Sequence, residues 1–278
     1  MSSNPVSTST IKLSNGISMP RLGLGTWRSS EDSEVRNSVQ LALENGYRLI
    51  DTAFIYGNET SIGKALKTSS VPREDIFITT KVWNSDQGYE KTLKAFEISA
   101  GNLQLEQIDL YLIHWPVSGL FTETWRAMED LYQAGRIRAI GVSNFLPEHL
   151  EELTSSARIL PVVNQIEFHP YLQSPELVAA CAELGILIEA WAPLMEGGVV
   201  DVPELREIGK RHGKTPAQVS LRWMFQKDVI VIPKSTHKKW IIENASIFDF
   251  TLSEQEIAVL DSLDRGKRLG PDPANFDF

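Results

Sequence analysis

The sequence predicts an α/β fold, a (β/α)8 TIM barrel with an N-terminal β-hairpin that caps the bottom of the barrel. Eight short apolar runs alternate with helix-like stretches along the chain. The runs are almost continuously apolar, which is typical of parallel strands that helices cover on both faces. Eight such units with right-handed crossovers form either a long open sheet or a closed barrel, and closure leaves no unpaired edge.

The boundaries of these units follow from their end signals. Several helix-like stretches end in Gly, and others begin at Ser, Thr or Pro, as helices commonly do. The strand-like runs are RLGLGTW, YRLIDTA, DIFITTKVW, IDLYLIHWP, IRAIGVSNF, PVVNQIEFHP, GILIEAWAPL and DVIVIPKS. The helix-like stretches include SEVRNSVQLALENG, YEKTLKAFEISAGNLQ, TETWRAMEDLYQAG, PEHLEELTSS, SPELVAACAELG and TPAQVSLRWMFQK.

The N-terminal segment, about residues 10–19, precedes the repeating pattern. Short β-prone segments flank Asn15 and Gly16, a dipeptide that suits the positive φ angles of a type I′ turn. We therefore expect a hairpin that plugs the N-terminal end of the barrel. No linker or low-complexity segment interrupts residues 1–278, so we expect a single domain.

Composition limits the function classes. The chain has 278 residues, 42% of them hydrophobic, and a formal net charge of −9, so phosphate backbones of nucleic acids are disfavoured partners. Cys181 is the single cysteine, which excludes an internal disulfide and fits a reducing compartment. The N-terminus lacks the features of a secretory signal, and no apolar run is long enough to span a bilayer. We expect a cytoplasmic protein with no membrane partner.

Polar residues recur at the ends of the predicted strands. They are Asp51, Lys81, His114, Ser143 with Asn144, Gln165, Trp191, and Lys234 with Ser235. In a parallel barrel all C-terminal strand ends face one mouth, where enzymes of this fold keep their active sites. Residues far apart in sequence are therefore predicted to converge there.

Asp51, Tyr56, Lys81 and His114 have complementary chemistry. A nearby ammonium favours tyrosinate, which lowers the phenol pKa and makes Tyr56 a better proton donor. A lysine in a dry pocket needs a counter-charge, which Asp51 supplies. His114 can donate a hydrogen bond to an oxygen that gains negative charge. The group is suited to protonating an alkoxide as it forms from a carbonyl, with the hydride supplied by a nicotinamide cofactor.

The sequence resembles the aldo-keto reductase superfamily over nearly its whole length. The motifs that carry the resemblance are GLGTW (23–27), YRLIDTAFIYGNE (47–59), FITTKVWN (77–84), DLYLIHWP (109–116), GVSNF (141–145), VNQIEFHP (163–170) and IPKS (232–235). Short loops make it similar to compact microbial-type members, such as the 2,5-diketo-D-gluconate reductases. The resemblance implies NADPH-dependent reduction of an aldehyde or ketone to the alcohol.

It also implies roles for the four residues. Tyr56 would be the general acid, Lys81 would depress its pKa, Asp51 would hold Lys81, and His114 would orient the carbonyl. Members of the superfamily are often monomers, and we expect a monomer that acts on a small carbonyl compound.

The resemblance further implies that NADP(H) lies extended across the barrel mouth, without a Rossmann fold. GLGTWR does not complete the G-x-G-x-x-G pattern, because Arg28 holds its last position. The residues implied for the nicotinamide end are Ser143, Asn144, Gln165 and Trp191, with Pro193 and Leu194 along the pyrophosphate. Those implied for the 2′-phosphate and adenine are Lys234, Ser235, Thr236, Glu243 and Asn244.

One departure concerns cofactor choice. Trp240 stands where many relatives have a basic residue that clamps the 2′-phosphate. Without that basic residue, binding of the 2′-phosphate is left to Lys234, with help from His237, Lys238 or Lys239. NADPH is the predicted cofactor, and NADH use is an open alternative.

An aromatic mouth is predicted to select apolar or amphipathic aldehydes and ketones. Trp27, Trp83 and Trp115 each follow a strand and, by resemblance, wall the substrate pocket together with Ile55. Rim packing between barrel and helices is the alternative for each of them.

The irregular tail, about residues 266–278, contains two aromatic residues near its end. Phe276 and Phe278 either fold over the mouth or fray.

Other functions remain open at this point. Taken singly, each polar residue has an ordinary structural explanation, such as a cap or a satisfied core histidine. A barrel that binds cofactor but is catalytically idle, with a regulatory or structural role, is the main alternative. A metal-dependent hydrolase is another, but His114 and His169 are the only strand-end histidines and no clustered ligands accompany them, so we predict no metal.

Overall fold

Ten strands and eleven α-helices make up the fold of the computed structural model, which describes residues 5–29, 32–276 and 278. The strands are β1 (Thr10–Lys12), β2 (Ser18–Pro20), β3 (Gly23–Gly25), β4 (Leu49–Asp51), β5 (Phe77–Val82), β6 (Ile108–Ile113), β7 (Ile137–Ser143), β8 (Val163–Glu167), β9 (Leu187–Trp191) and β10 (Ile230–Val231). The helices are α1 (Pro5–Thr8), α2 (Asp32–Glu44), α3 (Glu59–Thr68), α4 (Tyr89–Leu103), α5 (Phe121–Gln133), α6 (Pro147–Thr154), α7 (Pro175–Glu183), α8 (Pro203–His212), α9 (Pro216–Gln226), α10 (Lys238–Ala245) and α11 (Glu254–Asp261).

The predicted barrel is confirmed. Strands β3 to β10 are all parallel and each pairs with its neighbour in chain order. Parallel bridges join Leu22 to Val231 and Gly25 to Lys234, so the first and last strands close the sheet on itself. At this seam a side chain on Gly25 would press on the carbonyl oxygen of Ile232, only 2.7 Å from where its Cβ would lie. Glycine is therefore the residue that lets the two strands meet.

The N-terminal hairpin is also confirmed, and it covers the N-terminal end of the barrel. Strands β1 and β2 pair antiparallel, with Ile11 opposite Met19. Met19 and Leu13 pack into a cluster with inward residues of the barrel strands, among them Leu49 and Phe77. The burial of these apolar side chains explains why the hairpin lies across the open end.

The turn type expected for the hairpin was wrong. Gly16 has φ 89°, but Asn15 is not among the residues with positive φ, so this is not a type I′ turn. Gly16 N donates to Leu13 O and Leu13 N to Ile17 O, which makes a longer loop with a left-handed glycine at its end. The Asn15 side chain accepts from Ile17 N and donates to Arg138 O, and these bonds hold the loop in this form.

The predicted crossover helices are all present, and α1, α3, α8, α10 and α11 are added to them. Helices α10 and α11 follow the last barrel strand and lead to the tail, which returns to the mouth. In the described part of the chain, no helix combines the length and apolar character that a membrane crossing requires.

Candidate active site

The mouth of the barrel gathers the side chains that end strands β4, β5 and β6. Asp51 is the last residue of β4, Lys81 the penultimate residue of β5, and His114 follows β6 directly. Tyr56 lies in the loop between β4 and α3. Parallel pairing of these strands places all four residues at one end of the barrel.

Lys81 and Asp51 form an ion pair closed off from solvent. Lys81 Nζ donates to Asp51 Oδ1 at 2.8 Å and to Oδ2 at 2.9 Å, and also to the Thr52 carbonyl at 2.8 Å. The side chains of Lys81 and Asp51 are only 0% and 3% exposed. A buried ammonium with this set of acceptors is satisfied in its charged form.

Tyr56 lies between this ion pair and His114. The Lys81 ammonium is 5.2 Å from the centre of the Tyr56 ring. The Tyr56 and His114 rings are 5.7 Å apart between centroids and meet edge to face. The four side chains that the sequence predicted to converge are therefore neighbours in space.

Asn58 fixes the loop that carries Tyr56 through its side-chain hydrogen bonds. The sequence analysis did not predict this residue. Its side chain is 1% exposed. It accepts from Thr52 Oγ1 at 2.6 Å and donates to the carbonyls of Thr26 and Ser29, each at 3.0 Å. An asparagine that joins the loop after β4 to the loop after β3 fixes the position of the phenol relative to the barrel. Its place within the 47–59 motif was the available signal.

The balance of charges around Tyr56 differs from the expectation. Burial raises the pKa of Tyr56, the Lys81 charge opposes it, and Asp51 adds to the rise, so the net direction is upward. Burial lowers the pKa of Lys81, but the neighbouring Asp51 and Tyr56 together raise it overall. Lys81 thus lowers the pKa of Tyr56 as predicted, but the desolvation of the phenol has the larger effect.

His114 is neutral in this environment. Burial, together with the positive charge of Lys81, places the pKa of His114 well below its usual value. Within the described residues its Nδ1 has no hydrogen-bond partner, and Trp83 packs edge-on at 5.1 Å between ring centroids. Its main-chain carbonyl accepts from Asn144 Nδ2 at 3.0 Å. A neutral imidazole carries one N–H that can donate to a ligand oxygen.

Gln165 connects the ion pair to a residue that the sequence reasoning missed. Its Nε2 donates to Asp51 Oδ2 and to Glu189 Oε2, each at 2.8 Å. Glu189 is 0% exposed, and burial together with the Asp51 charge raises the pKa of Glu189 to about 8. The signal was a single carboxylate inside the apolar run GILIEAWAPL.

Ser143, Asn144 and Trp191 form one hydrogen-bonded unit beside Gln165. The Trp191 indole Nε1 donates to Asn144 Oδ1 at 2.9 Å, and Asn144 Nδ2 donates to Ser143 Oγ at 3.2 Å. Ser143 Oγ in turn donates to the Gln165 carbonyl at 2.8 Å. Asn144 has φ 62°, a left-handed conformation that asparagine tolerates better than most residues. The indole is therefore held in a fixed plane at the mouth.

The loop after β9 is conformationally strained. Ala192, Met195 and Glu196 have φ of 50°, 53° and 53°, which L-residues adopt rarely, and such residues often occur at functional sites. Pro193 is buried and Leu194 half-buried in this loop.

The loops that follow β3 and β9, the two strands on either side of β10, meet through a salt bridge. Arg28, in the loop after β3, contacts Glu196 with 3.2 Å between Nη1 and Oε1. This salt bridge was not predicted.

A cluster of exposed cations follows β10. Lys234, Lys238 and Lys239 are exposed, and none forms an ion pair with a residue in the described ranges. Ser235 is 8% exposed, and Thr236 next to it is half-buried. In a chain of net charge −9, three free ammonium groups within six residues make a local anion-attracting surface.

The last turn of α10 carries the residues predicted for adenine. Trp240 is 44% exposed, with the Lys239 ammonium 4.4 Å from its ring centre. Asn244 is 3% exposed, whereas the Glu243 carboxylate already accepts a bond from Thr215 Oγ1 at 2.8 Å. The structure therefore places both adenine candidates on one helix, with Glu243 also tied to α9.

Aromatic side chains surround the space in front of His114. Trp83 stacks on Phe278 at 5.9 Å between centroids, and Trp115 contacts both Phe276 and Phe278 at 5.2 Å. Of the two alternatives for the tail, the structure shows that the phenylalanines fold over the mouth.

Two further residues predicted for the pocket lie on its exposed rim. Trp27 is 47% exposed and Ile55 46% exposed. The Trp27 ring packs against the Arg28 guanidinium, 4.0 Å from the ring centre.

Glu167 anchors the tail. Its Oε1 accepts from Leu269 N at 2.6 Å and its Oε2 from Gly270 N at 3.1 Å, and His169 Nε2 lies 2.9 Å from Oε1. Gly270 packs so closely on the Trp191 indole that a Cβ there would overlap the ring. The tail, the indole and the end of β8 are therefore one packed unit.

The sequence profile described as the Aldo/keto reductase family matches residues 21–265. This match covers most of the chain. The chain belongs to the aldo/keto reductase family. Its activity is that of an oxidoreductase. Among the residues described, no cluster of three or more His, Cys, Asp or Glu side chains could hold a metal ion.

Relatives of this reductase cover nearly its full length. Glyoxal reductase of Bacillus subtilis is 53% identical over 269 residues, which are 97% of this chain and 98% of the relative. A crystal structure of an aldo-keto reductase from a deep-sea metagenome library superposes with TM-score 0.94 at 46% identity, over 96% of this chain and 100% of that one. An aldo-keto reductase of Bombyx mori in complex with NADP gives TM-score 0.89 at 36% identity, over 94% of each chain. This reductase is thus similar to compact microbial members of the family.

Proposed function

We propose that this reductase converts an aldehyde or ketone to the alcohol with NADPH, and that Tyr56 donates the proton. The observation that carries the proposal is the position of Tyr56, with a buried ammonium on one side and a neutral imidazole on the other. A cofactor-binding protein with no catalytic task has no need of a proton donor so arranged.

Each of the four side chains has a separate role in protonating or orienting the carbonyl oxygen. Tyr56 gives its proton to the oxygen as negative charge develops there, and Lys81 stabilises the tyrosinate that remains. Asp51 holds the ammonium in place, since it accepts from Lys81 through both carboxylate oxygens. The N–H of neutral His114 donates to the same oxygen and orients the carbonyl.

The raised pKa of Tyr56 is compatible with this role. A phenol at its ordinary pKa of about 10 is already protonated at neutral pH, and the upward shift keeps it so, which leaves the proton available when a carbonyl arrives.

The residues at the mouth fit a nicotinamide dinucleotide. When bound, the cofactor supplies the hydride from nicotinamide C4. We propose that Ser143, Asn144 and Gln165 hold the carboxamide and that Trp191 stacks on the ring, which its hydrogen-bonded plane supports. Pro193 and Leu194 would line the pyrophosphate.

The phosphate and adenine end has its own residues. We propose that Lys234, Ser235 and Thr236 bind the 2′-phosphate, with the unpaired lysines nearby adding attraction. Glu243 and Asn244 would contact the adenine. We propose NADPH as the preferred cofactor and NADH as an alternative, because Trp240 contributes no charge to phosphate binding.

The substrate would be a small apolar or amphipathic aldehyde or ketone. Trp83 and Trp115 supply aromatic faces next to His114, and Trp27 with Ile55 forms the exposed rim. Aromatic walls favour such molecules over strongly hydrated ones. We also propose that a single-domain monomer carries the activity, since every residue named here comes from one chain.

A panel of carbonyl compounds, assayed in parallel with NADPH and NADH, tests the proposal. The panel includes glyoxal, an aromatic aldehyde and a simple ketone, and cofactor consumption is followed by absorbance. Sustained turnover that a chelator leaves unchanged is the expected result. Tight NADPH binding without turnover on any compound would favour the catalytically idle regulatory or structural barrel.

A further inference from the structure

We propose that Glu189 is a positioning residue that fixes the amide of Gln165 and thereby ties the nicotinamide site to the Lys81–Asp51 ion pair. The inference rests on the proposed function and adds to it a residue that touches neither substrate nor cofactor.

Gln165 and Glu189 face each other in the barrel interior. They are partners in the register of β8 and β9. Both are buried, at 2% and 0% exposure, and Gln165 Nε2 lies 2.8 Å from Glu189 Oε2. The other carboxyl oxygen, Glu189 Oε1, is buried without a hydrogen-bond partner in the described parts of the chain. A buried polar atom left unsatisfied costs stability, so its retention calls for a functional explanation.

The two carboxyl groups determine which way the Gln165 amide points. An amide nitrogen carries two hydrogens, and both are used, one by Asp51 Oδ2 and one by Glu189 Oε2. Only the amide oxygen of Gln165 then remains for a ligand. That oxygen is an acceptor, the complement of the NH2 of a nicotinamide carboxamide. Without Glu189, one N–H of Gln165 would be unpartnered and Asp51 alone would orient the amide.

The charge state of Glu189 matters because other ionisable groups face it. Asp51 and Lys81 act on it directly, and Glu189 in turn acts on Tyr56. Burial and the Asp51 charge raise the pKa of Glu189 to about 8, so near neutral pH it is an uncharged acid and Lys81 has one carboxylate partner. Ionisation adds a second negative charge, which raises the pKa of Tyr56 and makes the phenol a poorer acid.

Cofactor binding gives the first test. NADPH dissociation constants are measured by fluorescence titration for the wild type, Glu189→Leu, Glu189→Gln and the control Glu129→Gln. Glu129, on α5, is a comparably buried carboxylate, 2% exposed, that binds Arg158 in the loop after α6. Glu189→Leu should bind NADPH about tenfold more weakly, the loss expected when an oriented hydrogen bond is lost. Glu189→Gln keeps an acceptor for Gln165 and should rescue affinity, and Glu129→Gln should match the wild type.

Infrared spectroscopy of the protein without cofactor gives the second test. The wild type should show the carbonyl band of a protonated carboxylic acid that disappears as pH rises through about 8, and Glu189→Gln should lack it. The pH profile of kcat/KM should fall over the same range in the wild type, and this inflection should be absent from Glu189→Gln.

Two outcomes overturn the inference. One is wild-type NADPH affinity in a folded Glu189→Leu variant, and the other is a spectrum and pH profile that Glu189→Gln leaves unchanged. If Glu189→Leu does not fold, the Glu189→Gln measurements decide alone. If no variant, nor the wild type, reduces any carbonyl, the proposed function fails, while the NADPH titrations and the infrared band still decide the role of Glu189.

Discussion

The ammonium of Lys81 lies 2.8 Å from one oxygen and 2.9 Å from the other oxygen of the Asp51 carboxylate, and both side chains are shut off from water. Burying two charges is costly, and a buried ion pair is weak evidence for stability alone. This one lies beside Tyr56 and His114 at the C-terminal ends of the barrel strands. Its cost is therefore best explained by the chemistry proposed for Tyr56.

Tyr56→Phe removes the proposed proton donor. Turnover should fall by about 10²-fold or more, since a positioned acid contributes about 10²–10⁴. NADPH affinity should change little, because Tyr56 has no proposed contact with the cofactor. Steady-state kinetics and fluorescence titration measure the two quantities.

Tyr132→Phe is the matched control, because this tyrosine is only partly buried against the outer core. It should retain wild-type turnover. Wild-type turnover in Tyr56→Phe would show that another group supplies the proton.

Lys81→Met leaves the Asp51 carboxylate buried without its partner. The variant should lose activity and about 3–5 kcal/mol of unfolding free energy. Asp51→Asn combined with Lys81→Met removes the stranded charge, so it should regain most of the stability and none of the activity. Urea denaturation and turnover measured on the same samples separate the two effects.

The surface pair of Lys64 and Asp32, at 3.3 Å, supplies the comparison, since both side chains are about half exposed. Lys64→Met should leave both stability and turnover near wild type, as exposed pairs contribute little. Full stability in Lys81→Met would mean that Asp51 is protonated in the folded protein.

His114 should make the protein sensitive to acid. Its folded-state pKa is depressed well below 6.5, so above that pH both folded and unfolded chains hold it neutral. As pH falls below about 6.5, His114 is protonated in the unfolded chain but stays neutral in the folded chain. The free energy of unfolding therefore decreases. The unfolding free energy of the wild type should fall more steeply than that of His114→Gln, by about 1.4 kcal/mol per pH unit. Urea denaturation between pH 8 and pH 5 measures both slopes.

His237→Gln serves as the control because His237 is exposed. Its slope should follow the wild type. Identical slopes for the wild type and His114→Gln would show that the imidazole reaches solvent.

The lysines after β10 should determine cofactor choice. Lys234→Met should weaken NADPH binding by about tenfold and leave NADH binding nearly unchanged, because only NADPH carries the 2′-phosphate. Trp240→Arg should shift the balance further toward NADPH, and added salt should reduce its gain. Dissociation constants for both cofactors at two ionic strengths provide the measurement.

Lys67→Met, an exposed lysine on α3, is the control and should alter neither constant. Equal losses for both cofactors in Lys234→Met would place that lysine away from the 2′-phosphate.

Gly270→Ala tests whether the tail supports Trp191. The added Cβ would overlap the indole, so either the ring or the tail must move. NADPH binding should weaken by about tenfold and the tryptophan fluorescence should shift. In Gly101→Ala, on α4, the new Cβ meets nothing within 4 Å, and this variant should bind NADPH like the wild type. Unchanged binding in Gly270→Ala would mean that the indole plane does not depend on the tail.

The order of strands and helices was predictable from the sequence, because buried parallel strands read as apolar runs and helix ends carry their own signals. The meeting of Asp51, Lys81 and His114 was predictable too, since parallel strands of a barrel end at one mouth. The hairpin followed from Asn15 and Gly16, but its turn type depended on bonds from Asn15 to Ile17 and Arg138.

Only the tertiary structure decided the balance of forces at the site. The net direction of the Tyr56 pKa depends on how deeply the ring is buried, which no spacing of residues encodes. The link from Gln165 to Glu189 joins two strands whose register was not known in advance. The tail's contact with Trp83 likewise arises from long-range packing. Local pattern specified which residues reach the mouth, and the three-dimensional environment set their charge, orientation and neighbours.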